Sequence, residues 1–179
     1  MSDATAMTLD APLAQVSVAP PMGMVSLRAA HDMTLKTTLG SFQLGVPEQR
    51  QITTYPGGRV AWMSPDELLI LLDKDRTTDL VERLSVVLRG HHHMVTDVSD
   101  ARAVFRVDGP KADQVIAKLC PVDVLDGAFP MGELRRTRLA QVAAAFWRDE
   151  AGFTLVCFRS VAQYALDVLS VAARPGTDL

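Results

Sequence analysis

Residues 59–72 read RVAWMSPDELLILL, and this stretch decides the fold class. Residues 59–63 form a short apolar run, Ser64-Pro65-Asp66 is turn chemistry, and residues 67–72 form a second apolar run closed by Asp73. Two strands joined by so short a turn predict an antiparallel hairpin, whereas parallel neighbours need a long crossover between them. Upstream, Pro56-Gly57-Gly58 supplies another turn, and residues 41–46 alternate apolar with polar side chains, which predicts a strand ending at Pro47. Residues 1–24 mix Ala, Pro, Met and Thr without a sustained period and close on Pro20-Pro21 and Gly23. They are expected to form a flexible arm, with one folded domain over residues 25–173 and a tail over residues 174–179.

Downstream, Thr77 or Thr78 can cap a helix carrying Leu80, Val81, Leu84, Val87 and Leu88 inward, with Arg89 in its last turn and Gly90 beyond it. Residues 95–98 and 103–107 predict strands; Ala103, Phe105 and Val107 share one face, and Val104 lies between Arg102 and Arg106 on the other. Gly109-Pro110 opens a helix whose buried stripe is Ala112, Val115, Ile116 and Leu119, and Cys120-Pro121 stops it. Residues 136–147 read as one strand, residues 149–152 as a hairpin turn, and residues 153–158 as a strand buried on both faces. Ser160 can cap a last helix with Val161, Tyr164, Ala165, Val168 and Leu169 inward. No internal repeat is visible. Helices interleaved with hairpins give an α+β class, with mixed helices and a mostly antiparallel sheet.

The 179 residues carry 18 Lys+Arg against 21 Asp+Glu, a formal net charge of −3, without the basic clustering that binding to nucleic acid requires. No Lys or Arg precedes Arg28, and no apolar run approaches the roughly 18 residues of a membrane span. A cytoplasmic protein that binds neither nucleic acid nor membrane is expected. Cys120 and Cys157 stand alone, which excludes CxxC chemistry and fits a reduced compartment.

Four features could carry chemistry. His91-His92-His93 offers imidazoles, yet neighbours in an extended segment point to opposite faces, so solvated connector residues are expected and not a metal site. Cys120 and Cys157 lack an evident base and are expected to be packed thiols. Asp97-x-Ser99-Asp100 fits a side-chain-stabilised turn better than acid–base work. Arg135, Arg136 and Arg138 place three cations within four residues, suited either to a partner surface or to a solvated strand edge. There is no GxGxxG, Walker A, HExxH or GxSxG motif, so no catalytic, cofactor-binding or metal-binding residue is assigned.

An ordered series of short motifs spans residues 56–170: Trp62 with Ser64-Pro65-Asp66-Glu67, Asp97-Val98-Ser99-Asp100, Val107-Asp108-Gly109-Pro110-x-Ala112, Lys118-x-Cys120-Pro121-x-Asp123, Phe129-Pro130-x-Gly132, Thr137-Arg138-Leu139-Ala140 and Phe158-Arg159-Ser160. In order and spacing the series resembles the gamma subunit of heterotetrameric sarcosine oxidase. The resemblance implies a fold like the folate-binding aminomethyltransferase domain. It also implies a cytoplasmic complex with alpha, beta and delta subunits that oxidises sarcosine to glycine, hydrogen peroxide and a one-carbon unit that tetrahydrofolate accepts. FAD, FMN, NAD and zinc are then expected in the partner subunits and none on this chain. Aminomethyltransferases carry a catalytic Asp in the strand after a Gly-rich turn, whereas here Gly57-Gly58 is followed by Arg59-Val60-Ala61-Trp62-Met63. A structural subunit is therefore the leading expectation, and a stand-alone folate-type binding or one-carbon transfer module is the alternative.

Overall fold

A computed structural model describes residues 12–125, 127–177 and 179. Its elements run β1 (Gln15–Val18), β2 (Gly23–Ala29), α1 (Met33–Ser41), β3 (Ile52–Tyr55), β4 (Gly58–Ser64), β5 (Glu67–Leu72), α2 (Thr77–Val87), β6 (His93–Asp97), β7 (Arg102–Asp108), α3 (Ala112–Leu119), β8 (Leu134–Leu139), β9 (Val142–Asp149), β10 (Gly152–Phe158) and α4 (Ala162–Ala172). The strands form two five-stranded sheets, β3-β4-β5-β2-β6 and β8-β9-β10-β7-β1. Every pairing within them is antiparallel.

The two sheets follow one plan. In the first, β2 leads through α1 to the meander β3–β4–β5, and α2 returns the chain to β6 beside β2. In the second, β7, α3, the meander β8–β9–β10 and α4 take the same places, but the strand beside β7 is β1, from the other end of the chain. The sequence conceals this duplication because the plan constrains burial pattern and connection length, not residue identity.

Helices α1 and α2 cover the outer face of the first sheet, where Leu35, Leu39, Leu80 and Leu84 cluster with Val25, Leu27, Leu68 and Ile70. Helices α3 and α4 do the same for the second, setting Val115, Ile116 and Leu169 against Phe105, Phe146, Phe153 and Leu155. The inner faces meet each other through Met24, Ala61, Leu69 and Leu71 on one side and Val104, Trp147 and Val156 on the other. The α+β, mostly antiparallel class read from the sequence is the one observed.

Several expectations are corrected. Residues 13–24 are not a flexible arm: Leu13 and Ala14 are buried, the Leu13 N–H donates to the Ala173 carbonyl at 3.0 Å, and Val16 of β1 pairs with Val107 of β7. The rest of that expected arm, residues 1–11, lies outside the described residues. Residues 41–46 form no strand; α1 precedes them, capped by the Asp32 carboxylate, which accepts the Leu35 N–H at 3.0 Å. Residues 136–147 are two strands, β8 and β9, folded back at Ala140-Gln141 with Leu139 opposite Val142. Neither turn residue has turn preference, and Ala140 sits at φ 49°, a left-handed conformation costly for a side-chain-bearing residue, held by its N–H donating to the Leu119 carbonyl at 2.7 Å. Val87 and Tyr164, expected inward, are exposed. Ser160 lies in a 3-10 turn ahead of α4 and makes no side-chain cap.

Removing residues 1–19 is expected to unpair the β7 edge and uncover the core beneath α4. The loss should exceed the roughly 2–5 kcal/mol associated with a buried leucine alone. Chemical unfolding and size-exclusion chromatography would show a destabilised, self-associating chain; an unchanged unfolding midpoint would contradict the structural role given to β1.

Candidate functional site

Side-chain alternation sends Met24, Ser26 and Arg28 of β2, Arg59, Ala61 and Met63 of β4, and Glu67, Leu69 and Leu71 of β5 toward the second sheet. From that sheet, Arg102, Val104 and Arg106 of β7, Trp147 and Asp149 of β9 and Leu134 and Arg136 of β8 face back. The middle of this interface is apolar, and each end closes on a carboxylate. At one end Glu67, 5% exposed, accepts from Arg28 Nη2 at 2.8 Å, Arg136 Nη1 at 3.3 Å and the Ser26 hydroxyl at 3.4 Å. At the other end Asp149 accepts from Arg59 Nη2 at 3.0 Å and from the Thr154 hydroxyl, with Arg106 Nη1 at 3.7 Å. Each carboxylate thus joins one guanidinium of its own sheet to one of the opposite sheet, which fixes how the sheets sit together.

The ends differ in charge balance. Asp108 takes Arg106 with two bonds, at 2.9 and 3.1 Å, so the two guanidiniums at the Asp149 end meet two carboxylates. Beside them lies a cleft of about 500 Å³ lined by Ile52, Thr54, Arg59, Arg106, Met131 and Asp149. At the Glu67 end Asp66 adds a second carboxylate, 3.3 Å from Arg28, but three guanidiniums are present, because Arg102 stands there as well. Arg102 and Arg136 share a narrow cavity of about 40 Å³ with Met63, Ala143, Val156 and Phe158. The Arg102 guanidinium lies over the Phe158 ring at 4.1 Å, and its buried Nε has no hydrogen-bond partner among the described residues. Burial lowers the Arg102 pKa, nearby Arg136 adds to that, and Glu67 and Cys157 oppose it. On its other side Arg102 borders a cleft of about 230 Å³ with Val18, Pro20, Met24, Lys74, Asp100 and Arg159.

The residues singled out in the sequence are dispersed. Arg135, Arg136 and Arg138 all lie on β8, the outer strand of its sheet, but not on one face. Arg135 pairs with Glu133 and covers the Phe129 ring at 5.4 Å, Arg136 faces the first sheet, and exposed Arg138 donates to Gln141 Oε1 at 2.9 Å. His91 and His92 precede β6 and His93 begins it, and no metal-binding group of three His, Cys, Asp or Glu exists among the described residues. Asp97 accepts the Ser99 N–H at 2.8 Å and the Ser99 hydroxyl, which in turn accepts the Met24 N–H at 2.9 Å; the turn reading of that motif is the observed one. Cys120 and Cys157 are both buried, burial pushing the Cys120 thiol up to about 12 and raising that of Cys157 against the influence of Arg102. Sequence reasoning missed Arg102 and Phe158 as a pair. The usable signal was the alternation Arg102-x-Val104-x-Arg106, which sets two cations on a face that carries core.

Arg135→Ala should destabilise the chain by about 1–2 kcal/mol through the lost ring contact and ion pair, while Arg138→Ala should stay within about 0.5 kcal/mol. Urea unfolding of both distinguishes them; equal losses would mean the two arginines share one environment. The cysteines make a second expectation. A thiol raised in the folded state stays protonated there while the unfolded chain ionises, so its contribution is intact below about pH 9 and is lost as pH rises toward 12. Cys120→Ala should flatten that alkaline loss in unfolding measurements across the range, and native wild-type chain should resist alkylation at pH 8.

Residues 29–174 match a family model described as the sarcosine oxidase, gamma subunit family. The chain is 30% identical over 139 residues to sarcosine oxidase subunit gamma of an Arthrobacter species, covering 76% of this chain and 66% of that protein. It is 31% identical over 106 residues to the corresponding subunit of Corynebacterium sp. strain P-1, covering 58% and 51%. It thus spans about half to two thirds of the length of these relatives. Among solved structures it is similar to heterotetrameric sarcosine oxidase from Corynebacterium sp. U-96, in complex with pyrrole 2-carboxylate, with a TM-score of 0.82, 24% identity, and coverage of 93% of this chain and 86% of that one. Aminomethyltransferase T of the glycine cleavage system from Bartonella henselae shares the fold at a TM-score of 0.63, 13% identity, and coverage of 93% and 50%. The family match runs from the end of β2 to just past α4, across both sheets and the interface between them, and this chain belongs to the sarcosine oxidase gamma subunit family.

Proposed function

We propose that this chain serves as the gamma subunit of a heterotetrameric sarcosine oxidase, a structural member without an active site, held with alpha, beta and delta subunits in the cytoplasm. The complex would oxidatively demethylate sarcosine to glycine, dioxygen taking the two electrons to give hydrogen peroxide, with a one-carbon unit passed to tetrahydrofolate. FAD, FMN, NAD and zinc would reside in the partner subunits. The observation that carries this reading is the family match over residues 29–174. The geometry supports a structural role: Cys120 and Cys157 are buried protonated thiols, Asp97 holds a turn, and Glu67 and Asp149 each hold guanidiniums together. Arg59, on the strand after the Gly57-Gly58 turn, spends its charge on Asp149 and so is not held free for an anionic folate tail in the 500 Å³ cleft. No described helix is long and apolar enough to cross a membrane. The β8 edge, with Arg136 and Arg138 outermost and Arg135 bracing it, would form part of the partner-facing surface.

Co-expression with the other three subunits, followed by size-exclusion chromatography and an amine-dependent peroxide assay, tests the reading. The chain should co-elute in a yellow, sarcosine-oxidising complex, and should be colourless and inactive when purified alone. A flavin bound stoichiometrically by the isolated chain, or full activity of a complex that excludes it, would overturn the proposal.

A further inference from the structure

At the Glu67 end of the inter-sheet interface the chain holds a cation that its own fold answers only in part: Glu67 acts on Arg102 through space while its bonds go to Arg28 and Arg136. The buried Arg102 Nε has no hydrogen-bond partner among the described residues, and the guanidinium lies over the Phe158 ring. Glu67 is already occupied by Arg28 and Arg136, and Asp66 by Arg28. An arginine remains charged at neutral pH, so a half-buried guanidinium with an orphaned Nε and no carboxylate bonded to it is one that a carboxylate from outside the chain can complete. Its surroundings are those of an interface centre: Phe158 lies 49% exposed beneath it, and Arg136 is 53% exposed beside it. The cavity between them is small, about 40 Å³. Small-molecule sites occupy about 300–1,000 Å³. What fits here is the end of a side chain delivered by a larger body.

We propose that Arg102, stacked on Phe158 and flanked by Arg136, receives an aspartate or glutamate side chain from a partner subunit. The proposal rests on the reading of the chain as a subunit and names the chemistry of one contact within that assembly. The planar guanidinium offers two parallel N–H donors to the incoming carboxylate, Arg136 adds a second positive charge, and the Phe158 ring and Ala143 exclude water around the pair. Binding also relieves the excess of positive charge at this end of the interface. Such a site gives up stability in the isolated chain in exchange for association, a compromise found where function sets residue choice.

The test is a competition. Wild-type and Arg102→Met chains are co-expressed at equal levels with the other three subunits, and their ratio in the purified complex is read by mass spectrometry. The thermal midpoint of each isolated chain is measured in parallel. Wild type should exceed Arg102→Met in the complex by at least tenfold, while the isolated variant melts at or above wild type, since methionine fills the site without a charge to compensate. Phe158→Ala should be disfavoured in the same direction. Equal incorporation of Arg102→Met would overturn this contact alone. A lower melting temperature for Arg102→Met would overturn it too, by showing that Arg102 serves the fold. Saturable, Arg102-dependent binding of acetate or succinate to the isolated wild-type chain below 1 mM would make the site one for small carboxylates. Absence of the wild-type chain from the complex would overturn the subunit reading, and this contact with it.

Discussion

Contact between the inner faces of two antiparallel sheets is the constraint from which the other features follow. A sheet covered on one face can alternate apolar and polar residues, but here each sheet also has a helical layer on its other face. The central strands must therefore be apolar on both sides. All six residues of β5 are buried, and β10 is buried from Phe153 to Cys157. Trp147, fully buried, spans the inter-sheet layer with its indole N–H unpartnered among the described residues, and the charged groups of that layer sit at its ends, where water or an opposing charge can reach them. Glu67 illustrates the rule. It is the one charged residue of β5, it sits at that strand's first position, and two guanidiniums compensate its burial.

The shared plan of the two halves places a demand on the chain ends. The first half supplies its own fifth strand, β6, while the second takes β1 from the beginning of the chain. That strand pairs Val16 with Val107, a contact between segments far apart in sequence, and Leu13 is bonded to Ala173 just past the last helix. Closure of the second sheet thus requires both ends of the folded chain.

What was legible in the sequence follows the same physics. Strands buried on both faces, β5 and β10, announced themselves as unbroken apolar runs, and α2 and α3 by helical spacing, because burial of those residues is decided by period alone. What was hidden depended on partners distant in sequence. β1 is four residues of alternating Val between polar neighbours, strand-forming only because β7 presents an unpaired edge. The β8–β9 turn uses Ala140-Gln141, and the left-handed Ala140 is tolerated because Leu119 anchors its N–H. The three arginines of β8 were visible as a cluster, but alternation along a strand sends Arg135 one way and Arg136 the other. Arg102 was visible only as a flank of Val104, since nothing local says that its face meets a second sheet.

The duplicated plan also sharpens what is unusual about Arg102. Both ends of the interface use the same device, a carboxylate joining guanidiniums from opposite sheets, and at the Asp149 end each of the two guanidiniums has a carboxylate bonded to it, although the Arg59 Nε is unpartnered among the described residues. Arg106, four residues further along β7 on the same face, is matched by Asp108 with bidentate geometry. Arg102 shares strand, face and chemistry with Arg106 but has no carboxylate bonded to it among the described residues. An apolar side chain would continue the inner surface from Val104 and Val156 with no charge to compensate, and replacing buried ionic groups by packed apolar ones is often stabilising. The requirements of the fold therefore account for Arg106 and do not account for Arg102. Its charge is held against the half-exposed Phe158 ring at the end of the inter-sheet layer, where the ring contact and the nearby Glu67 are what the chain itself supplies.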